Sequence, residues 1–256
     1  MKKAIEFEGI SKKFSTKQGI VTALQDVSFE VAEHEFVAVV GTSGCGKSTL
    51  LRILGGLVPA SNGAVRIDGK PVQGPVSEIG IVFQTPVLLP WRSVRRNIEL
   101  PLDIRKLDRQ QYADEISKLI SLVGLEGFEE RSPYELSGGM QQRVALCRAL
   151  IHQPSLLLMD EPFGALDAMT REAMNMEVQR IWMETKKTIM LVTHSISEAV
   201  FLADRVIVMT SRPGQVREIV PVDLERPRTF ASMKSEVYHN AVGRVRKLLN
   251  AQAMTE

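Results

Sequence analysis

Residues 36–54, FVAVVGTSGCGKSTLLRIL, constrain this chain more than any other stretch. Phe36 to Val40 is a short apolar run with β-branched residues, the pattern of a buried strand. Gly41, Gly44 and Gly46 break it, and Lys47, Ser48, Thr49 and Leu50 then open a segment with helical spacing. Strand, glycine loop, Gly-Lys-Ser and helix in that order form a cradle for a phosphate chain. Glycines let the backbone wrap closely around phosphate oxygens. The loop N–H groups and the positive end of the helix then face the anion. Gly41, Thr42, Ser43, Gly44, Cys45, Gly46, Lys47, Ser48 and Thr49 are the candidate contacts. Lys47 is expected to reach the β- and γ-phosphates, and Ser48 to ligate Mg²⁺.

A chain of 256 residues can bury a large core, as one domain or as a domain with an inserted lobe. A net charge of +2 gives no electrostatic case for a nucleic-acid partner. The two cysteines, Cys45 and Cys147, lie far apart and form neither a disulfide framework nor a metal-spaced cluster, which fits a reducing compartment. The N-terminus has no apolar core of a secretion signal, and no stretch has the ~20 apolar residues that span a bilayer. The expectation is a soluble or peripheral protein whose membrane crossing, if any, belongs to another chain.

Along the chain, residues 4–10 and 21–32 alternate as half-exposed strands, with a turn expected over the polar 11–19. Phe14 is the one aromatic of that turn, and reads equally as a staple onto the core or as a stacking surface for a purine. Ile79–Phe83 is a further strand, followed directly by Gln84. Residues 94–107 and 109–123 read as helices. No strand pattern returns until residue 156, so 85–154 reads as a helical lobe inserted between strand-rich halves. Ser137-Gly138-Gly139 precede a helix and make a second N-terminus fit for an anion. Residues 155–162, SLLLMDEP, read as a buried parallel-type strand ending in Asp160-Glu161. Carboxylates at that end of a doubly wound sheet lie where ligands bind. Asp160 suits Mg²⁺ and Glu161 a general base that polarises water. A long helix spans 169–185, with Met176, Ile181 and Trp182 as its apolar positions. Thr188–Val192 is a core strand, with His194 just past its end. Residues 233–250 read as a helix with Val237, Ala241, Val245 and Leu248 on one face.

Taken together, these residues resemble the ATP-binding subunit of ABC transporters, over nearly the whole chain. Residues 41–49, GTSGCGKST, match its Walker A loop, and 136–143, LSGGMQQR, match the signature that other P-loop NTPases lack. Residues 156–162, LLLMDEP, match Walker B with its catalytic Glu161. Gln84 matches the Q-loop, Ala165-Leu166-Asp167 the D-loop, and His194 the switch histidine. The resemblance implies that Phe14 stacks on adenine. It makes Glu161, His194, Gln84 and Lys47 the catalytic set, and Ser48, Gln84 and Asp160 the Mg²⁺ set. Ser137, Gly138, Gly139, Gln141 and Asp167 would meet ATP from a second copy. Residues 82–102 and the tail motifs SRPGQV and ERPRTF look like importers of the nitrate, sulfonate and taurine type, which serve small, often anionic solutes in bacteria.

The implied fold is α/β: a P-loop NTPase core with a mixed sheet and helices, an antiparallel β subdomain and an inserted α-helical subdomain. Residues 1–84 with 155–211 would form the ATP-binding core, 85–154 the helical subdomain, and 212–256 a C-terminal extension. One chain offers two anion-binding helix ends, whereas one ATP has one γ-phosphate. A head-to-tail homodimer that sandwiches each ATP resolves this. Leu88, Leu89, Pro90 and Trp91 read either as a local core of the lobe or as a groove for a helix of membrane permease subunits. A solute-binding protein would be an indirect partner, and the chain itself would sit peripherally at the cytoplasmic face of the cell membrane. The alternatives are a soluble ABC ATPase not coupled to transport, or the ATPase of an exporter.

Overall fold

The computed structural model describes residues 2–17, 19–164 and 166–253. Gln18 of the expected turn and Ala165 of the expected D-loop lie outside the described residues. The chain divides into two compact units, residues 1–77 with 178–256, and residues 78–177.

In chain order the first unit opens with β1 (Lys3–Thr16), β2 (Gly19–Ala32), β3 (Phe36–Val40), α1 (Lys47–Leu54), β4 (Asn62–Ile67) and β5 (Lys70–Pro71). The second contains β6 (Ile79–Val82), α2 (Val94–Ile98), α3 (Leu100–Ile104), α4 (Ala113–Leu122), α5 (Gly138–Leu150) and β7 (Leu156–Asp160). Then α6 (Ala168–Thr185) runs across the division. The first unit ends with β8 (Thr188–Thr193), α7 (Ile196–Leu202), β9 (Arg205–Met209), β10 (Val216–Pro221) and α8 (Glu236–Ala253).

The first unit holds two sheets. One is antiparallel, in the order β2-β1-β4-β5. The other carries β3 between β8 and β9, both parallel to it, with β10 antiparallel on β9. Every residue of β3 and β8 is buried. That explains why β3 is apolar throughout and β8 apolar between its terminal threonines, since a strand covered on both faces has no polar side to show. In the second unit β6 and β7 pair in parallel, and all five residues of β7 are buried.

Several expectations need correction. The turn expected over 11–19 is mostly strand: β1 continues to Thr16, paired with β2 through Phe14↔Val21 and Thr16↔Gly19. Backbone ladder bonds do not depend on apolar side chains, so a polar, solvated strand hides its strand character from a hydrophobic pattern. The helix expected over 94–107 is two short helices, because Pro101 cannot continue α2 and instead sits in the first turn of α3. Residues 109–112 form a 3₁₀ turn before α4. On α6 the core positions include Met174 and Val178, with Met176 only half-buried. On α8 Tyr238 is buried, and its neighbour Val237, expected on the apolar face, is exposed. Residues 216–221 form a strand that apolar patterning does not reveal.

One buried polar side chain organises the segment that leads from β6 into α2. Asn97 is fully buried. Its Oδ1 accepts from the Leu89 N–H at 2.8 Å, and its Nδ2 faces the carbonyls of Leu89, Arg92 and Ser93 at 3.0–3.1 Å. The loop thus closes around an amide that supplies the partners its backbone would otherwise lack. Leu88 and Leu89 are half-buried against the unit, whereas Pro90 is exposed and Trp91 is 77% exposed. Asn97→Leu, which fills the space and removes every one of those bonds, should destabilise the chain by about 2–4 kcal/mol. Urea denaturation measures this; a loss under about 0.5 kcal/mol, the range of a neutral surface change, would show that the loop holds itself.

Candidate nucleotide-binding site

In the first unit the register of three parallel strands sets out the site. Val40 of β3 lies opposite Thr193 of β8 and Val208 of β9. Gly41 and His194 are therefore the first residues past the ends of neighbouring strands, on the side where open α/β sheets bind ligands. The loop then turns on Gly44 at φ +76° and Gly46 at φ +103°. These are backbone conformations in which a side chain is strained. A Cβ on Gly46 would also lie 2.8 Å from the Ala23 carbonyl and 2.6 Å from Leu24 Cδ2. Gly46 is the N-cap of α1 and has no side chain to cap it, so the helix opens on an end suited to a ligand's oxygens. Lys47 is buried within the loop and donates to the Gly41 and Thr42 carbonyls at 2.9 and 3.1 Å. Its charge sits at the centre of the cradle.

The loop has a buttress. Arg212 donates to the Gly44 carbonyl at 3.1 Å through Nη2 and 3.3 Å through Nε. Gly214 pairs with the β2 segment, donating to Ala23 and accepting from Gln25, both at 3.0 Å. A Cβ on Gly214 would collide with the Cys45 carbonyl, so this close approach requires glycine. Residues 211–214 thus brace the phosphate loop from outside it. Phe14 is 39% exposed on β1, with the Lys12 ammonium 5.0 Å from its ring centre. It is not a core staple.

His194 is exposed at the end of β8. Just after it, Ser195 caps α7, its Oγ accepting from the Glu198 N–H at 3.3 Å. The turn between strand and helix is fixed by Thr193, whose Oγ1 accepts from the Ser195 N–H at 3.0 Å.

The second unit carries the remaining motif residues on its own strand pair. Val82 lies opposite Met159, so Gln84 and Glu161 each stand two residues past a shared rung. Gln84 is exposed, and Asp160 is buried at the end of β7. Glu161 adopts φ +45°, a left-handed backbone that a glutamate rarely takes. Such strain collects at functional sites, where surrounding structure holds a side chain in one direction. Gln142 is buried and donates to the Phe83 carbonyl at 3.1 Å, which ties α5 to the chain just before Gln84.

Ser137 caps α5 by accepting from the Met140 N–H at 3.3 Å. Gly139 is buried, and a Cβ there would lie 2.6 Å from Thr170 Cγ2. Gly138 is different. It is exposed, and among the described residues a Cβ would meet nothing nearer than Leu166 at 3.9 Å. The chain's own packing does not require glycine there. Gln141 sends its amide back to the Pro133 and Leu136 carbonyls at 3.0 and 3.3 Å, where it braces the turn before the helix. Asp167 accepts from the Thr170 side chain at 2.6 Å and its N–H at 3.0 Å. The Thr170 hydroxyl and then its N–H hold the Asp167 carboxyl below the ordinary carboxylate range. Thr170 carries no sequence signal of its own, and the motifs that contain Gln142, Arg212 and Gly214 do not say what these residues hold. Each is recognisable only by the partner that the fold brings to it.

Residues 24–164 match the ABC transporter family. The chain belongs to that family. It is 48% identical to an uncharacterised ABC transporter ATP-binding protein of Methanocaldococcus jannaschii, over 94% of this chain and 91% of the relative. It is 46% identical to a taurine import ATP-binding protein of Jannaschia sp., over 84% of this chain and 80% of that one. It is 42% identical to a nitrate import ATP-binding protein of Synechococcus elongatus, over 88% and 83%. Among solved structures it resembles a dimeric, post-hydrolysis ATP-binding cassette bound to ADP and Pi, at a TM-score of 0.75 and 32% identity, over 85% of this chain and 98% of that one. The α/β P-loop fold expected from the motifs is thus borne out.

The cradle gives a direct test. Lys47→Ala removes the cation from the loop, and ATP affinity in equilibrium binding should fall at least about tenfold, the loss of one charge-assisted phosphate contact. Unchanged affinity would detach the loop from phosphate binding.

Proposed function

We propose that this chain is the ATP-binding and ATP-hydrolysing subunit of a bacterial ABC importer that takes up a small, anionic solute of the nitrate, sulfonate or taurine kind. Family membership supports the ATPase, and the relatives named for taurine and nitrate import support the direction and class of transport. Among the described residues no helix is long and apolar enough to cross a membrane. Permease subunits would supply the channel and a solute-binding protein would deliver the cargo. The chain would work at the cytoplasmic face of the cell membrane.

One observation carries the mechanism. Among the described residues two helix N-termini open beside glycine, α1 after Gly46 and α5 at Ser137-Gly138, and no described neighbour requires glycine at Gly138. A glycine that nothing inside the chain requires leaves room for close approach from outside. In a head-to-tail homodimer the α5 end of one copy reaches the γ-phosphate held by the phosphate loop of the other. Ser137, Gly138, Gly139 and Asp167 then form the far wall of the pocket, with Gln141 as the brace behind it. ATP joins the two copies, and its hydrolysis releases them.

Each candidate residue has a role in this reading. Phe14 stacks on the adenine, and residues 41–49 wrap the phosphates. Lys47 neutralises charge at the β- and γ-oxygens. Ser48, Gln84 and Asp160 are hard oxygen donors suited to Mg²⁺, and no His/Cys/Asp/Glu triad offers a competing site among the described residues. The ion would offset charge on the β- and γ-phosphates. Glu161 takes the proton of the attacking water, from a left-handed backbone position at the end of β7. His194 contacts the γ-phosphate.

The mechanical output passes through the loop around Asn97. Trp91, Val87 and Ile104 are exposed apolar side chains of the second unit, at 77%, 58% and 72%. Together with Leu88, Leu89 and Pro90 they form the surface for a permease helix.

Glu161→Gln keeps the shape and removes the base. It should bind ATP with normal affinity, turn over at least about 100-fold more slowly, and elute as a dimer with ATP in size-exclusion chromatography. Turnover near that of the parent chain would remove Glu161 from its role.

A further inference from the structure

We propose that residues 224–238 are a clamp that positions α7 and so the switch His194, with Arg228 and Tyr238 as its positioning residues. The inference rests on the reading of His194 as the γ-phosphate contact.

Helix α7 has seven residues, Ile196–Leu202. A helix this short is not stable by itself and depends on what holds its ends. Its N-terminal end is the Ser195 cap next to His194. Its C-terminal end presents carbonyls that no helical N–H can reach. Two arginines take them. Arg228 Nη1 donates to Val200, Phe201 and Ala203 at 3.0, 2.9 and 2.8 Å. Arg226 Nη2 donates to Leu202 at 2.7 Å and to Asp204 at 2.6 Å. Four successive carbonyls therefore rest on one segment from outside the helix. Toward the other end of α7, Tyr238 of α8 donates through its hydroxyl to the Ser197 carbonyl at 3.3 Å.

The clamp is itself anchored. Arg228 Nε donates to the Leu224 carbonyl at 3.0 Å, which closes the segment on itself. Gln179 and Arg228 exchange a reciprocal pair, the Arg228 N–H to Gln179 Oε1 at 2.7 Å and Gln179 Nε2 to the Arg228 carbonyl at 2.8 Å. The Arg226 guanidinium lies 4.2 Å from the ring centre of Trp182. Arg228 is 1% exposed. Burial first, and then the nearby Arg226 charge, push its pKa down to about 10, against the pull of Asp204, so it stays charged at neutral pH. A buried cation with this many acceptors fixes its neighbours in place. Arg228 reaches these carbonyls through Nη1 and the Leu224 carbonyl through Nε, and a lysine, with one nitrogen, cannot hold both sets at once.

The test uses the full-length chain with Tyr238→Phe, Arg228→Lys and His194→Ala, alone and combined. Tyr238→Phe removes one hydrogen bond and keeps the packed ring, so it remains folded even if Arg228→Lys does not. Turnover should fall roughly threefold in Tyr238→Phe and roughly tenfold or more in Arg228→Lys. KM and equilibrium affinity for ATP should stay within about twofold in both, a split that general loss of structure would not give. In the His194→Ala background neither change should slow turnover further. Normal turnover in Tyr238→Phe and in folded Arg228→Lys would overturn the clamp while leaving His194 in its role. Additive losses on top of His194→Ala would overturn it as well, by showing that the effect bypasses the histidine. Full turnover in His194→Ala itself would instead overturn the reading beneath.

Discussion

The parallel register of β3 against β8 and β9 is the constraint on which the first unit's chemistry depends. With Val40 facing Thr193 and Val208, β3 and β8 stop at the same level and β9 one residue beyond. Each stop leads into a different segment. After β3 comes the glycine loop, after β8 comes His194, and after β9 comes the 211–214 segment that leans on the loop. A slip of one residue would turn the strand faces over and send these three segments to different heights. The register is held by strands buried on both sides, so the packing of Val, Ile and Leu well below the surface governs where the polar groups stand.

The motifs that carry charge and glycine are legible because their chemistry demands particular residue types at fixed spacing. Gly46 must be glycine at φ +103°, and Lys47 must follow it, so the loop announces itself. Asp160 and Glu161 are legible as acids ending an apolar run. The antiparallel extension of β1 is not, because Ser, Lys and Thr on a solvated strand look like a loop to any hydrophobic pattern. The break between α2 and α3 is also missed by apolar spacing, although the Pro101 ring is its cue.

The hidden residues share a physical cause. Asn97, Gln142, Arg228 and Tyr238 all act on backbone carbonyls, which carry no residue identity, and Thr170 acts on the Asp167 carboxylate one helical turn before it. A buried Asn or Arg reads in a sequence as one more surface residue. Only the fold shows that its donors are used up. Gly138 makes the complementary point. Its motif makes it visible in the sequence, but the distances around it separate it from Gly139, which internal packing explains.

The loop held by Asn97 has a consequence for how motion would leave the second unit. Its backbone is already ordered around one amide, so Trp91 is presented on a stiff tip instead of a floppy one. A partner docking there would meet a shape that needs no freezing on contact, which favours quick engagement. Stiffness also means little lost travel: a displacement at the base of such a tip arrives at its apex nearly undiminished, like a tooth on a gear.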